Sequence, residues 1–133
     1  MLIAGTSYGT KAQDIYDMCC EKYEWQRGKR SMFGSQQRLF AENVTSEGYA
    51  VWFISNSNLT GRTNGRIRNI VDRITGTVTE EWNEPLDYVV APIRLIFIKD
   101  ERGRYVFFGV HKCTVDRPQR RKVSVRISNK YPD

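Results

Sequence analysis

The feature that most restricts the fold of this chain is a set of three β-strand patterns in its last third. Residues 93–98 and 105–110 are β-branched and aromatic runs on either side of a charged six-residue turn, a pattern typical of an antiparallel hairpin. Residues 122–128 alternate strictly between apolar and polar side chains. Val123, Val125 and Ile127 share one face of this strand, and we expect the other, basic and hydroxyl-bearing face to be half exposed.

A helix is predicted near the N-terminus. Thr10 and Gln13 have the spacing of a capping box, and the helix is expected over residues 11–24. Gly28, in the basic segment 27–31, is expected to stop it. Apolar side chains recur at the spacing of one helix face, which is expected to lie on the core: Ala12, Ile15, Tyr16, Cys19, Cys20 and Tyr23.

The middle of the chain contains a further strand pattern and two basic or acidic stretches. Residues 49–54 form a β-branched and aromatic run, which predicts a mostly buried strand. Four small polar residues follow at 55–58, as in a turn or a binding loop. Residues 59–69 resemble an exposed basic loop, and within them 66–71 fit either a short strand or a helical turn. Residues 80–85 are acidic and end at a proline.

These elements predict one domain of the α+β class. A chain of 133 residues is the size of a single domain. We expect an N-terminal helical part over about residues 8–47 and a β-rich part over about residues 48–128. The strands are expected to form a small curved antiparallel β-barrel or sheet, with the N-terminal helix packed on it.

The net charge of +6 is concentrated at one end of the sequence. Residues 1–47 are neutral and residues 48–91 carry −1, whereas residues 92–133 carry +7. A basic segment gains free energy beside a polyanion because it displaces condensed counterions. The distribution favours a nucleic-acid partner, and a solvated basic face is the alternative. Eight side chains are expected to contact phosphates: Arg62, Arg66, Arg68, Arg117, Arg120, Arg121, Lys122 and Arg126.

A base-binding site is predicted from aromatic and small polar residues. Reading a base requires a ring to stack on it and hydrogen-bonding groups for its edge. The candidates are Trp52, Phe53, Ser55, Asn56, Ser57, Asn58 and Trp82. Trp52 and Phe53 are neighbours on a strand and face opposite sides, so we expect one of them to lie in the core. Trp82 is either a contact with the core or an exposed platform.

Catalytic and metal motifs are absent from the sequence. No phosphate-cradling glycine loop, His-Glu-x-x-His or Gly-x-Ser-x-Gly occurs, so standard hydrolase chemistry is poorly supported. His111 is the only histidine, and it lies in a strand pattern where structural histidines are more common. An alternative is a small basic endoribonuclease built from His111, Tyr105 and Glu81 or Glu80. No cofactor and no metal are expected.

Cysteine usage and hydropathy suggest an intracellular setting. Cys19 and Cys20 are adjacent on the predicted helix and Cys113 is distant, so we interpret all three as free, buried thiols. No apolar run is long enough to cross a bilayer, and the N-terminus lacks the pattern of a signal peptide. A cytoplasmic protein without a membrane partner is the expectation.

The order of these patterns resembles a known superfamily. An aromatic strand that ends in Ser and Asn (residues 49–58) is followed by the hairpin Ile-Phe-Ile-Lys-Asp-x-x-Gly-Arg-Tyr-Val-Phe-Phe-Gly-Val (residues 96–110) and a basic strand (residues 122–128). This layout, over about residues 48–128, is similar to the PUA-like superfamily, which includes SRA and EVE-type readers of modified bases attached to restriction nucleases and helicases. The resemblance implies a small curved β-barrel, recognition of modified DNA bases or structured RNA without catalysis, and a nuclease or helicase partner.

Three functions follow from the sequence. The first is a nucleic-acid-binding module, with DNA or RNA as its partner. The second is the endoribonuclease that uses His111. The third is a protein-interaction or structural subunit that uses an exposed β edge or an aromatic patch.

Overall fold

We describe the chain from a computed structural model, in which residues 1–25, 45, 47, 49–55, 67–82 and 92–132 are placed. Nine strands and one helix are present in this part of the chain. In chain order they are β1 (Leu2–Ile3), β2 (Ser7–Gly9), α1 (Ala12–Tyr23), β3 (Ala50–Ser55), β4 (Ile67–Asp72), β5 (Thr77–Trp82), β6 (Ile93–Lys99), β7 (Tyr105–Asp116), β8 (Arg121–Ser128) and β9 (Lys130–Tyr131).

Seven strands form one curled sheet. Its order is β3-β6-β7-β8-β5-β4, and β2 pairs with the first residues of β7; β1 and β9 form a separate pair. The sheet curls into a half-barrel with α1 packed on it, which confirms the predicted α+β fold with a curved sheet. One pair differs from the antiparallel expectation, because β3 and β6 run parallel. The β4–β5 hairpin lies between them in sequence and pairs with β8 at the far side of the sheet.

The predicted helix is confirmed, but its predicted cap is wrong. α1 starts after Lys11, which has extended backbone angles and makes no capping bond with its side chain. Gln13 donates to Asp17 within the helix, so the pair of Thr10 and Gln13 forms no capping box. The helix ends at Glu24, whose φ of 58° is left-handed, and Gly28 lies outside the described residues. The predicted stripe is buried through Ile15, Tyr16, Cys19 and Cys20.

The two faces of the sheet carry separate cores. Alternation along β3 sends Val51 and Phe53 toward α1, and Trp52 and Ile54 toward the inside of the half-barrel. The core under the helix also contains Leu2, Ile15, Tyr16, Cys19, Cys20, Trp25, Leu95, Phe97, Phe107, Val110 and Tyr131. The inner core contains Val71, Val78, Ile96, Ile98 and Phe108 in addition. Both rings of the pair at 52 and 53 are therefore core residues.

The predicted orientation of β8 is wrong. Lys122 and Ser124 point into the half-barrel and are buried, whereas Val125 and Ile127 are 48% and 56% exposed. The strand itself is confirmed, and so is its alternation, but the polar face is inside. The carboxylate of Glu80, on the neighbouring strand β5, compensates for the burial of Lys122.

The segment that the sequence left open between strand and helical turn is a strand. β4 pairs with β5 in antiparallel register from Ile67 opposite Trp82 to Asp72 opposite Thr77. Residues 73–76 form the turn between them. Asp72 caps that turn, because its Oδ1 accepts hydrogen bonds from the backbone N–H groups of Ile74 at 2.9 Å and Thr75 at 3.2 Å.

Candidate nucleic-acid interface

A buried ionic cluster occupies the inner face of the half-barrel. Lys122 Nζ lies 3.1 Å and Arg94 Nη1 lies 3.2 Å from the same carboxylate oxygen, Glu80 Oε1. The Arg94 guanidinium also lies 3.9 Å above the centre of the Trp52 ring. Each of these side chains is at least nine-tenths buried. Three strands bring the cluster together: Glu80 from β5, Arg94 from β6 and Lys122 from β8.

Electrostatics inside the half-barrel explain the orientation of β8. A buried cation is costly unless it is paired, and Glu80 supplies that pairing for both cations. Burial lowers the pKa of Lys122, and the Glu80 carboxylate opposes that shift. Arg94 Nη1 also contacts Ser124 Oγ at 3.5 Å and Cys113 Sγ at 3.7 Å. Lys122, predicted to bind phosphate, is instead part of the interior.

His111 lies against the same inner face, with no exposed surface. Its Nδ1 is 3.1 Å from the Gly109 carbonyl oxygen and its Nε2 is 3.0 Å from the Gly76 carbonyl oxygen. Burial lowers the pKa of His111 to about 4; the two carbonyls oppose this shift, and the positive charges of Arg126 and Arg94 add to it. The lowered pKa favours the neutral ring, whose single N–H donates to one of the two carbonyl oxygens, and the ring lies between the β4–β5 turn and β7.

The structure does not bring together the three residues of the predicted ribonuclease site, Tyr105, His111 and Glu81. Tyr105 lies at the start of β7, on the helix side, where its ring contacts that of Phe53. His111 lies six residues further along the same strand and points to the inner face, and six strand residues span about 20 Å. Glu81 is on the outward face of β5, at 4.0 Å from Arg68. We find no arrangement of these three groups that one substrate can contact.

The predicted base-binding residues are divided between the core and the undescribed segments. Trp52 and Phe53 are each 2% exposed, so neither ring is available to stack on a base. Ser55 is the last residue of β3 and Trp82 the last of β5. Asn56, Ser57 and Asn58 lie outside the described residues.

The predicted phosphate contacts have three different positions. Arg68 on β4, Arg121 on β8, and Arg117 and Arg120 in the β7–β8 turn are exposed. Arg126 is half-buried: its Nε donates to the Phe108 carbonyl oxygen at 2.7 Å and its guanidinium lies 4.4 Å from the centre of the Phe108 ring. Arg62 and Arg66 lie outside the described residues, and Lys122 is buried.

Among the described residues, exposed cations prevail on one part of the sheet and exposed acids prevail on the helix. We use "uncovered half-sheet" for β4, β5, β8, the second half of β7 (residues 111–116) and their turns, which contribute no residue to the core under α1. Its exposed or half-buried cations are Arg68, Arg73, Lys112, Arg117, Arg120, Arg121 and Arg126; its carboxylates outside the ionic cluster are Asp72, Glu81 and Asp116. On α1 and its ends the acids prevail, with Asp14, Asp17, Glu21 and Glu24 against Lys11 and Lys22. The uncovered half-sheet is thus a basic surface.

Two cations of this surface were missed by the sequence analysis. Arg73 is in the β4–β5 turn, and Lys112 is on the outward face of β7. Alternation along β7 carries a signal for Lys112, because the apolar run ends before it and polar residues then occupy every second position. Arg73 has no such signal, and only the pairing of β5 with β8 places its turn on this surface.

Comparisons with known proteins give no assignment: neither a scan against protein-family models nor a search of curated proteins returns a match. Within the described ranges no helix has both the length and the apolar character needed to cross a membrane.

Proposed function

We propose that this protein is a nucleic-acid-binding module that binds the phosphate backbone through the uncovered half-sheet. The observation that carries the proposal is the distribution of exposed charge among the described residues: cations outnumber carboxylates on the half-sheet, acids prevail on α1 and its ends, and the β6–β7 turn carries both signs. A solvated surface that only promotes solubility has no need to separate the two signs. A polyanion, in contrast, binds where cations are gathered and acids are few.

The carboxylates on the half-sheet have partners within the protein and are fewer than its cations. Asp72 accepts hydrogen bonds from its own turn. Asp116 Oδ1 accepts from the backbone N–H of Gln119 at 3.2 Å, and its other oxygen lies 4.0 Å from Arg121. Arginine is well suited to the proposed role, because its planar guanidinium donates to two phosphate oxygens at once.

The more specific form of the proposal is a PUA-like reader of modified bases in DNA or of structured RNA, working with a nuclease or helicase. A curved half-barrel sheet is the kind of fold that the sequence resemblance implies. Trp52 and Phe53 do not support the base pocket, since both are core residues. In this form of the proposal the base contacts come from residues 55–58 and Trp82.

The two other functions have less support. A ribonuclease that uses His111 requires a ring that reaches substrate, and this ring has no exposed surface. A protein-interaction subunit requires an exposed apolar or edge surface, and the charges around the half-sheet favour a polyanion over an ordinary protein partner.

The test is a fluorescence-anisotropy titration with single-stranded RNA and with plain, methylated and hydroxymethylated duplex DNA. About five phosphate contacts are expected to give a slope of log K against log salt of about −4.5 on duplex DNA. Gels of the same samples are expected to show intact probe. A slope near zero, or no binding at low salt, would refute the proposal, and cleaved probe would favour the ribonuclease.

A further inference from the structure

The uncovered half-sheet carries an exposed apolar patch, which we define as Ile74, Val125 and Ile127. Ile74 is 97% exposed at the tip of the β4–β5 turn. Val125 is opposite Thr77, the first residue of β5, and Ile127 follows it on the outward side of β8. Because β5 and β8 are antiparallel, the end of β8 lies beside the turn that precedes β5. The three aliphatic side chains therefore lie at one end of the half-sheet.

The turn that presents Ile74 is held from three sides. The Asp72 carboxylate accepts from the N–H groups of Ile74 and Thr75, and the N–H of Gly76 donates to the Asp72 carbonyl oxygen at 2.9 Å. The Gly76 carbonyl oxygen is 3.0 Å from His111 Nε2 on β7. The side chain of Ile74 is thus exposed on a fixed backbone, which differs from an apolar residue on a loose loop.

Two cations flank the apolar patch. Arg73 precedes Ile74, and Lys112 is opposite Val125 on the neighbouring strand. Of the carboxylates on the described residues of the half-sheet, Asp72 is at this end and is turned onto the backbone of its own turn. Glu81 and Asp116 are at the opposite end, where both are paired with Arg121 in register. An apolar tip flanked by cations is complementary to a polyanion with apolar faces between its charges.

We propose that Ile74 is an apolar wedge that enters between neighbouring base pairs of duplex DNA bound on the uncovered half-sheet. Arg73 and Lys112 contact the flanking phosphates, while Val125 and Ile127 lie against the groove wall. Aliphatic side chains that enter base steps in this way unstack them and kink the duplex. This inference rests on the proposed function and adds the mode of contact with the bases.

The observations favour DNA over an anionic membrane surface. A single isoleucine on a rigid turn fits one base step, whereas stable membrane attachment requires much more apolar area than this patch presents. The arginines of the β7–β8 turn lie at the other end of the same half-sheet, so a duplex lying along it reaches the patch and these arginines at the same time.

The experiment uses duplex DNA in which the fluorescent base 2-aminopurine replaces adenine at successive positions. Unstacking brightens this base, so binding of the wild-type protein is expected to raise the fluorescence at one or two positions. Ile74→Ser is expected to abolish most of that rise and to weaken binding about five- to tenfold, because the burial of one aliphatic side chain is lost. The slope of affinity against salt should stay unchanged, since no cation is removed.

Ile3→Ser is the control, because Ile3 is an aliphatic residue that is 50% exposed on β1, which pairs with β9 and lies outside the uncovered half-sheet. It should leave both fluorescence and affinity as in the wild type. Salt-dependent binding without any rise in fluorescence, or the same rise with Ile74→Ser, overturns the wedge while the proposed function stands. Absence of binding at low salt overturns both. Partitioning onto phosphatidylserine vesicles that depends on Ile74, without base unstacking, also overturns the wedge.

Discussion

At the scale of single residues, burial decides what a charged side chain does, and its neighbours in sequence do not show whether it is buried. Lys122 stands next to two exposed arginines in sequence, yet it lies inside the half-barrel on Glu80. Arg94 is in the middle of an apolar run, yet it is among the largest fully buried side chains. Both placements depend on a single carboxylate on β5, so the cluster is a sensitive point of the fold.

Glu80→Gln is expected to lower the free energy of unfolding by about 3–5 kcal/mol, because two buried cations lose their counter-charge. Glu81→Gln is the matched control: Glu81 is the next residue, its side chain is 46% exposed, and its contact with Arg68 is 4.0 Å long. That change should cost about 1 kcal/mol or less. Urea unfolding of both variants at pH 7.5 measures the difference, and equal losses would contradict the role given to the cluster.

His111 gives a second prediction, about pH. Its pKa in the folded protein, about 4, lies below the ordinary value of 6.5, so the folded state favours the neutral ring. The contribution of the ring to stability is therefore complete above pH 6.5 and is lost as the pH falls toward 4. His111→Gln should lose less stability than the wild type between pH 7 and pH 5, as measured by urea unfolding.

The same pKa is directly measurable, because the chain has one histidine and so one set of imidazole resonances. We expect these NMR signals to show no titration between pH 8 and pH 5. A midpoint near 6.5 would mean that the ring is not buried as described.

At the scale of elements, irregularities in pairing decide which residues reach each face. The register between β6 and β7 shifts after Ile96, and that between β7 and β8 shifts at Val110. Gly109 lies between these shifts with a φ of 113°, and its carbonyl oxygen faces His111. A Cβ at this position would be 2.7 Å from the Ser128 carbonyl oxygen, so the close approach of β7 and β8 requires glycine.

Gly109→Ala is expected to destabilise the protein by more than about 2 kcal/mol, because it adds a clash with backbone to an unfavourable φ. Gly5→Ala provides the comparison: its φ of 91° is also positive, but a Cβ there meets nothing within 4 Å. Thermal or urea unfolding should show the larger loss for Gly109→Ala. If the two variants lose the same stability, the packing of β7 against β8 is looser than described.

At the scale of the whole molecule, the separation of charge between helix and half-sheet leads to a prediction about binding. Arg117→Gln with Arg121→Gln should reduce the salt slope on duplex DNA by about two, because each exposed arginine represents about one phosphate contact. Lys11→Gln with Lys22→Gln removes the same charge from the helix side and should leave the slope almost unchanged. The anisotropy titration distinguishes the pairs, and equal effects would mean that net charge alone drives binding.

The sequence by itself determined the local structure of this protein: the helix with its buried stripe, the strand before residue 55, the hairpin of β6 and β7, and β8. Each has a periodicity of its own, and periodicity depends only on neighbours in the chain.

The sequence did not determine which face of β8 is inside, because alternation gives two faces without saying which one is covered. Pairing of β8 with β5 and β7 decided that, by bringing Lys122 to Glu80 and leaving Val125 and Ile127 outside. The parallel pairing of β3 with β6, the burial of Trp52 beneath Arg94 and the position of Lys112 opposite Val125 were likewise decided by tertiary structure. The physical reason is that contacts between residues far apart in sequence leave no periodic trace along the chain.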